Sequence, residues 1–294
     1  MKQFFIGFVL VATVLSFSQI ASGQVELQLG FLVDGSATIS ASDFQIATDA
    51  LARVITEQNL IPNDGSVEIT VVQFSNQIAT VEISPTILTN ASAPQIAQRI
   101  RAISQGGGGT PLWLGIDRIT DLIVSSPNYA QTNRQAINVI TDGEPQIPNN
   151  GIFISEGIQR SLDARNNAIN RGIDELDAEG VGNGTDVQQF QNFLLDLVWP
   201  QPGVLFVNVN DPFVPGFVTL VDSFQDLEEA VRNKVVRILS SINGNGQNND
   251  DEPGRGPGGV PIPFDSPTGV FVLIIVMGLL IWVLRHRQNL SLRD

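Results

Sequence analysis

An apolar run that leads directly into oxygen-bearing side chains is the first part of this sequence that could do chemistry. In GFLVDGSATIS, residues 30–40, the apolar residues 31–33 are typical of a buried strand, and four polar side chains follow at every second position: Asp34, Ser36, Thr38 and Ser40. One interpretation is a helix N-cap, because Asp, Ser and Thr accept hydrogen bonds from free N–H groups at a helix start. The other is a cage of oxygen ligands for a hard metal ion. This segment alone leaves both open.

Two further loops offer side chains of the same kind. Thr110 follows four glycines, residues 106–109, which allow the backbone to turn and to approach other groups closely. Asp142 follows the apolar segment INVIT and precedes Gly143. Taken singly, a threonine before proline is also typical of a helix start, and an aspartate before glycine is also typical of a turn. A metal site therefore requires that the three segments meet in the fold.

The five candidate ligands are all oxygen donors, which restricts the ions that they suit. They are Asp34, Ser36, Thr38, Thr110 and Asp142. Mg2+ prefers oxygen ligands in an octahedron and tends to retain waters, and Mn2+ and Ca2+ are the alternatives that accept similar ligands. Two carboxylates and three neutral hydroxyls would neutralise a divalent ion without exceeding its charge. The ion would then still attract a further anion.

The elements that must position these side chains alternate along the chain. The hydrophobic periods predict strands in 26–33, 66–75, 79–84, 134–144, 173–182 and 216–222, with helices in 41–58, 93–103, 111–126, 157–172, 186–198 and 226–242. The strand in 173–182 is predicted despite its acidic residues. Such alternation indicates an α/β fold, with a mostly parallel central sheet covered by helices on both faces. Ligands of such sheets bind beyond the carboxyl ends of the strands, where Asp34 and Asp142 are expected.

The spacing of these residues resembles the von Willebrand factor A domain with its metal-ion-dependent adhesion site, in a membrane-anchored bacterial form. That family carries D-x-S-x-S after its first strand, a threonine on a later loop and an aspartate after its fourth strand. Asp34, Ser36 and Thr38 match the first element, although Thr38 replaces the last serine and Ala37 stands where glycine is common. Thr110 in GGGGTPL and Asp142 in VITDGEP match the others. VVQFSN and GFVTLVDSFQDLEEAV add to a similarity that covers residues 26–240.

The resemblance implies a Rossmann-like fold and a Mg2+ ion that takes an Asp or Glu side chain from a protein partner, in adhesion or complex assembly. It implies binding and not catalysis. Two other functions stay open at this point. One is a hydrolase that uses its carboxylates or a metal-activated water. The other is a passive structural or matrix protein.

Residues 202–216 exceed what the simple domain needs. The segment PGVLFVNVNDPFVPG could form an extra strand or a hairpin near one end of the sheet. It would then cover the sheet edge or contact a partner, and the sequence does not separate these roles.

The two ends of the chain predict export and anchoring. Residues 1–23 are typical of a signal peptide cut before Gln24. The domain in 25–242 is followed by a flexible linker rich in Gly, Asn and Pro in 243–268, an uncharged transmembrane helix in 269–284 and a basic cytoplasmic tail in 285–294. Arg285 and Arg287 place the C-terminus in the cytoplasm and the domain outside, periplasmic or extracellular. The alternative is a cleaved C-terminal sorting signal, which would release the protein to the surface.

The composition excludes several kinds of site. The 294 residues contain no cysteine and a single histidine, His286 near the C-terminus. Thiolate sites, disulfides and a histidine-based triad in the domain are therefore excluded. The net charge of −14 argues against a broad basic surface for nucleic acid.

Overall fold

A computed structural model of the chain describes residues 24–182, 188–206 and 215–242. The predicted signal peptide, linker, transmembrane helix and basic tail lie outside these ranges. Within them, every helix is too short or too polar to cross a bilayer.

One mixed sheet forms the centre of the described part of the chain. Its seven strands lie in the order β3-β2-β1-β4-β5-β7-β6, and every neighbouring pair is parallel except β2 and β3. The strands are β1 Leu27–Asp34, β2 Asp64–Ser75, β3 Ile78–Thr89, β4 Arg134–Thr141, β5 Glu175–Val181, β6 Val204–Phe206 and β7 Phe217–Val221. The predicted α/β fold with a mostly parallel sheet is confirmed.

Helices cover both faces of this sheet, as the alternating pattern predicts. They are α1 Ala41–Thr56, α2 Ala93–Arg101, α3 Leu112–Ser125, α4 Ile154–Asn170, α5 Gln188–Leu197 and α6 Leu227–Ile242. Apolar side chains of α1, α2 and α6 form one core with the sheet, and those of α3, α4 and α5 form the other. All eight residues of β1 are buried because it lies in the middle of the sheet between these cores.

The register between β1 and β4 positions two of the predicted ligands. Val33 lies opposite Ile140, so that Asp34 ends its strand beside Thr141. Since the two strands are parallel, the segments that follow them begin at the same edge of the sheet. Asp34 and Asp142 therefore come together although 107 positions separate Asp34 from Thr141 in the chain.

The segment that exceeds the simple domain adds an edge strand. β6 pairs in parallel with β7 at the end of the sheet, which is the extra strand among the predicted alternatives. Residues 207–214 lie outside the described ranges.

Three acidic residues on β5 are buried against α6. Glu175, Asp177 and Glu179 alternate along the strand and are fully buried, as is Lys234 of α6. Lys234 Nζ lies 2.9 Å from Glu179 Oε1, an ion pair without a well-aligned hydrogen bond, and Arg134 pairs with Glu175. Burial, and then the charge of Glu175, raise the pKa of Asp177 well above its ordinary value. The strand predicted in spite of its acidic residues is thus confirmed, and cations from two other elements pair with two of those residues.

Candidate metal centre

Asp34 is held at the buried floor of the candidate site. Its side chain is 1% exposed and lies at the end of β1. The Ser36 N–H donates to Oδ1 at 2.8 Å, and the Thr141 hydroxyl donates to Oδ2 at 2.7 Å. Burial, followed by the nearby charge of Asp142, raises the pKa of Asp34 to about 7. A carboxylate at this position is therefore costly unless a positive charge accompanies it.

A chain of short hydrogen bonds joins the next three candidate ligands. The Thr38 hydroxyl donates to Asp142 Oδ1 at 2.8 Å, and the Ser36 and Thr38 hydroxyl oxygens are 2.8 Å apart. Ser36 is fully buried, Asp142 is half-buried and Thr38 is exposed, so that this chain runs from the interior to solvent. Burial also raises the pKa of Asp142.

The glycine loop, residues 102–111 between α2 and α3, lies against the first loop, residues 35–40 after β1. Gly107 N–H donates to Gly35 O at 2.8 Å, and Ala37 N–H donates to Gly108 O at 3.0 Å. Two backbone hydrogen bonds, of 2.7 and 3.1 Å, join Thr110 to Gln146 in the third loop, residues 142–153. Thr110 is thereby fixed between the other two loops.

Thr110 differs from the other four candidates in one respect. Among the described residues, its hydroxyl makes no hydrogen bond to the side chains of Asp34, Ser36, Thr38 or Asp142. Its side chain is 4% exposed.

Glycines pack closely where the loops pass Gln73 of β2. A Cβ atom on Gly35 would lie 2.1 Å from Gln73 Oε1, and one on Gly106 would lie 2.1 Å from Ser75 Oγ. Gly107 and Gly108 have φ angles of +69° and +74°, which side chains disfavour. The glycine run therefore allows the close approach that brings Thr110 to the first loop.

The helix-cap interpretation holds for Ser40 but not for the residues before it. Ser40 is the N-cap of α1 and accepts a hydrogen bond from Asp43 N–H at 3.2 Å. Asp34, Ser36 and Thr38 precede that cap. At α3 the N-cap is Pro111, without a side-chain cap bond. Thr110 therefore does not cap α3, although a threonine before proline is typical of a helix start.

The donor set fits a hard divalent cation. Two carboxylates and two hydroxyls meet at the carboxyl ends of the strands, and the glycine loop, which carries Thr110, packs against them. No three acidic or histidine side chains among the described residues cluster closely enough to hold an ion by themselves. An ion at this position would therefore depend on the hydroxyls and on water, a ligand set that Mg2+ accepts.

Three residues that the sequence did not single out support the site. Thr141 hydrogen-bonds Asp34; Gln73 accepts from Gly106 N–H at 2.7 Å; and Gln105 donates to Ser36 O and Ile39 O, each at 2.8 Å. For two of the three, a neighbouring residue in the sequence is a local signal. Thr141 directly precedes Asp142, and Gln105 directly precedes the glycine run.

Comparisons with known proteins identify a domain family. The family model described as von Willebrand factor type A domain matches residues 28–182, which span β1 to the end of β5. These residues include all five candidate ligands. A comparison with curated proteins gave no match.

Solved structures with a similar fold come from several organisms. The von Willebrand factor domain of the type V pili tip protein Mfa5 from Porphyromonas gingivalis has a TM-score of 0.57 at 12% identity, covering 78% of this chain and 99% of that one. The pilus adhesin SpaC from Lactobacillus rhamnosus GG gives 0.55 at 14% identity, over 74% of this chain and 30% of SpaC. Proximal thread matrix protein 1 from the mussel byssus gives 0.52 at 17% identity, over 74% and 48%. The chain thus spans half or less of the last two proteins, and at these identities the similarity shows the fold alone.

Proposed function

Because this chain belongs to the von Willebrand factor type A domain family, we propose that it is a non-enzymatic binding module that takes an acidic side chain of a protein partner through a bound Mg2+ ion. The observation that carries this proposal is the hydrogen-bonded chain from Ser36 through Thr38 to Asp142, beside the buried Asp34. Mn2+ and Ca2+ are the alternative ions.

The candidate ligands would have two different roles in holding the ion. Asp34 and Asp142 would contribute its two compensating charges, and Ser36, Thr38 and Thr110 would contribute neutral oxygens. When bound, the ion supplies a positive charge, and a carboxylate of the partner can complete its coordination shell. The exposed position of Thr38 leaves this side of the site open to solvent, where a partner can approach.

Electrostatics explain why an acidic partner needs the ion. The chain carries a net charge of −14, and besides burial the charge of nearby Asp43 raises the pKa of Asp142. Without a cation, the carboxylates here would repel a partner carboxylate. With a cation, the same carboxylates hold the charge that attracts it.

Binding agrees better than hydrolysis with the contacts of the two carboxylates. Asp34 is 1% exposed and accepts two hydrogen bonds, and Asp142 accepts one from Thr38. Asp34 is therefore shielded from a substrate by its burial, and Asp142 is bonded to another candidate ligand. Adhesion is also the role named for SpaC, a pilus adhesin, although the shared fold does not transfer that role.

Calorimetry with the full-length protein tests this function in two steps. EDTA-stripped protein is titrated with Mg2+, and the loaded protein is then titrated with a short peptide that carries one Glu. We expect one Mg2+ per chain, peptide binding that requires Mg2+, and no binding of the matched Gln peptide. Equal binding of both peptides, or binding that persists in EDTA, would contradict the proposal.

Thr110→Ala should separate partner binding from metal binding. The substitution removes a neutral ligand and leaves both charges, so we expect Mg2+ affinity to fall by less than about tenfold. Binding of the Glu peptide should weaken more, because Thr110 is proposed to lie beside the coordination position that the partner carboxylate fills. The same two titrations measure both effects, with Thr132→Ala, remote from the three loops, as the control. Loss of Mg2+ binding with unchanged peptide binding per bound ion would contradict this role.

We propose further that the protein is exported and anchored in the membrane by one C-terminal helix. The support is in the sequence: the signal-like residues 1–23, the uncharged residues 269–284 and the arginines that follow. Protease added to intact spheroplasts should digest the domain in 25–242, and full protection would contradict this topology. An intact mass that lacks the residues beyond the linker would instead indicate a cleaved sorting signal.

A further inference from the structure

Four hydrogen bonds hold the first loop against the glycine loop. Two are the backbone bonds of Gly107 and Ala37 described above. The other two come from the side chain of Gln105, whose Nε2 atom donates to Ser36 O and to Ile39 O at 2.8 Å each. Half of this contact therefore depends on one carboxamide.

The two carbonyl groups that Gln105 binds enclose the segment that carries candidate ligands. Ser36 contributes one of these carbonyls and a proposed ligand hydroxyl, and Thr38 lies between Ser36 and Ile39. With both carbonyls fixed to one nitrogen atom, this segment is closed into a compact turn. The positions of the Ser36 and Thr38 hydroxyls are thereby restrained from the glycine loop.

We propose that Gln105 is a positioning residue that keeps the oxygen cage small enough to prefer Mg2+ over Ca2+. This inference rests on the proposed function. Mg2+ requires oxygen atoms at about 2.0–2.1 Å, whereas Ca2+ accepts about 2.3–2.6 Å and irregular geometry, so a looser cage shifts the preference towards Ca2+. Groups that orient metal ligands without touching the metal commonly change affinity by about 10–100-fold when they are removed.

Two substitutions of Gln105 separate its hydrogen bonds from the charge of the site. Gln105→Met keeps the length of the side chain but removes both donors. Gln105→Glu keeps the shape, but an ionised carboxylate cannot donate and would face two carbonyl oxygens. If charge alone mattered, the added carboxylate would strengthen cation binding. We expect both variants to bind Mg2+ at least about tenfold more weakly than the parent.

The ratio of Ca2+ to Mg2+ affinity is the measurement that a merely structural role would not change. Full-length protein is titrated with each ion by calorimetry after circular dichroism shows an unchanged fold. We expect Ca2+ affinity to fall less than Mg2+ affinity in both variants, which moves the ratio towards Ca2+. Gln159→Glu, on the exposed surface of α4, makes the same charge change away from the site and should leave both affinities unchanged.

The possible results distinguish this inference from the function that it rests on. A parent that binds no divalent ion would overturn the proposed function. A parent that binds Mg2+, with Gln105 variants that bind it equally well, would overturn only the role of Gln105. Tighter binding by Gln105→Glu, or equal loss of Mg2+ and Ca2+ in both variants, would likewise overturn the proposed selection by cage size.

Discussion

Asp34→Asn is expected to abolish Mg2+ binding and, at the same time, to make the metal-free protein more stable at pH 8. The first effect follows because one of only two proposed ligand charges is lost. The second follows because Asp34 is 1% exposed, and its charge has no cation beside it when the metal is absent. An asparagine can still accept the hydrogen bond of Ser36 N–H. The Thr141 hydroxyl, 3.1 Å from Gly143 O, has a second acceptor to which it can donate.

The pH dependence of stability follows from the raised pKa of Asp34. Its pKa is about 7 in the folded protein and 3.8 ordinarily, so the folded state holds the proton more tightly. The stability due to this proton is complete below about pH 4 and is lost as the pH rises towards 7. At about 1.4 kcal/mol per pKa unit, the loss is on the order of 4 kcal/mol. Asp34→Asn cannot ionise and should not show this loss.

Urea denaturation of the full-length protein in EDTA at pH 4 and pH 8 measures both parts of this prediction. The parent should lose stability between the two pH values, and the variant should lose less. Added Mg2+ at pH 8 should stabilise the parent but not Asp34→Asn. Asp163→Asn, on the exposed surface of α4, serves as the control and should respond like the parent. A variant that binds Mg2+ as tightly as the parent would show that Asp34 is not a ligand.

Lys234→Met is expected to destabilise the protein by about 3 kcal/mol at pH 8. The substitution leaves Glu179 fully buried without its cation, and breaking one side of a buried ion pair typically has this cost. Asn138 Nδ2 still donates to Glu179 Oε2 at 2.7 Å but supplies no charge. Because burial raises the pKa of Glu179, the loss should be smaller at pH 5, where the carboxyl group is more often neutral.

Two further variants show whether the buried charge is the cause. The double variant Lys234→Met with Glu179→Gln removes both charges and should recover most of the lost stability in urea denaturation. Glu156→Gln breaks the exposed pair with Arg160 on α4 and should cost less than about 1 kcal/mol. A Lys234→Met variant as stable as the parent would mean that the ion pair contributes nothing at this position.

The fold and the meeting of the three loops were predictable because they depend on local patterns and one topological rule. Alternating strand and helix periods predict a parallel sheet, and the carboxyl ends of parallel strands share an edge. That rule predicts that Asp34 lies close to Thr141 and Asp142, without any knowledge of side-chain contacts. The choice between cap and ligand at Asp34 could not be made in this way, because it depends on where α1 begins, which the structure places after Ser40.

The contacts of the supporting residues could not be predicted, because their partners are distant in sequence. Gln73, Gln105 and Thr141 bind partners 33, 69 and 107 positions away, respectively. A glutamine in an apolar strand or before a glycine run has no local pattern that indicates its partner. Their roles become visible only when the loops are brought together.

The acidic strand β5 shows the same limit for the core. Glu175, Asp177 and Glu179 alternate as residues on a solvent-facing side of a strand would. They can be buried because Lys234 of α6 pairs with Glu179 and Arg134 of β4 pairs with Glu175. Local propensity therefore predicts the strand but not the cations that pair with its buried acidic residues.

Anomalous X-ray scattering from crystals grown with Mn2+ and the Glu peptide tests the central claim most directly. We predict one Mn2+ peak per chain within about 2.6 Å of the Ser36, Thr38 and Thr110 hydroxyls, with Asp34 and Asp142 bound directly or through water and the peptide carboxylate completing the shell. A peak elsewhere, or an ordered peptide whose carboxylate does not contact the ion, would contradict the proposal that this protein binds acidic partners through a metal held by these five residues.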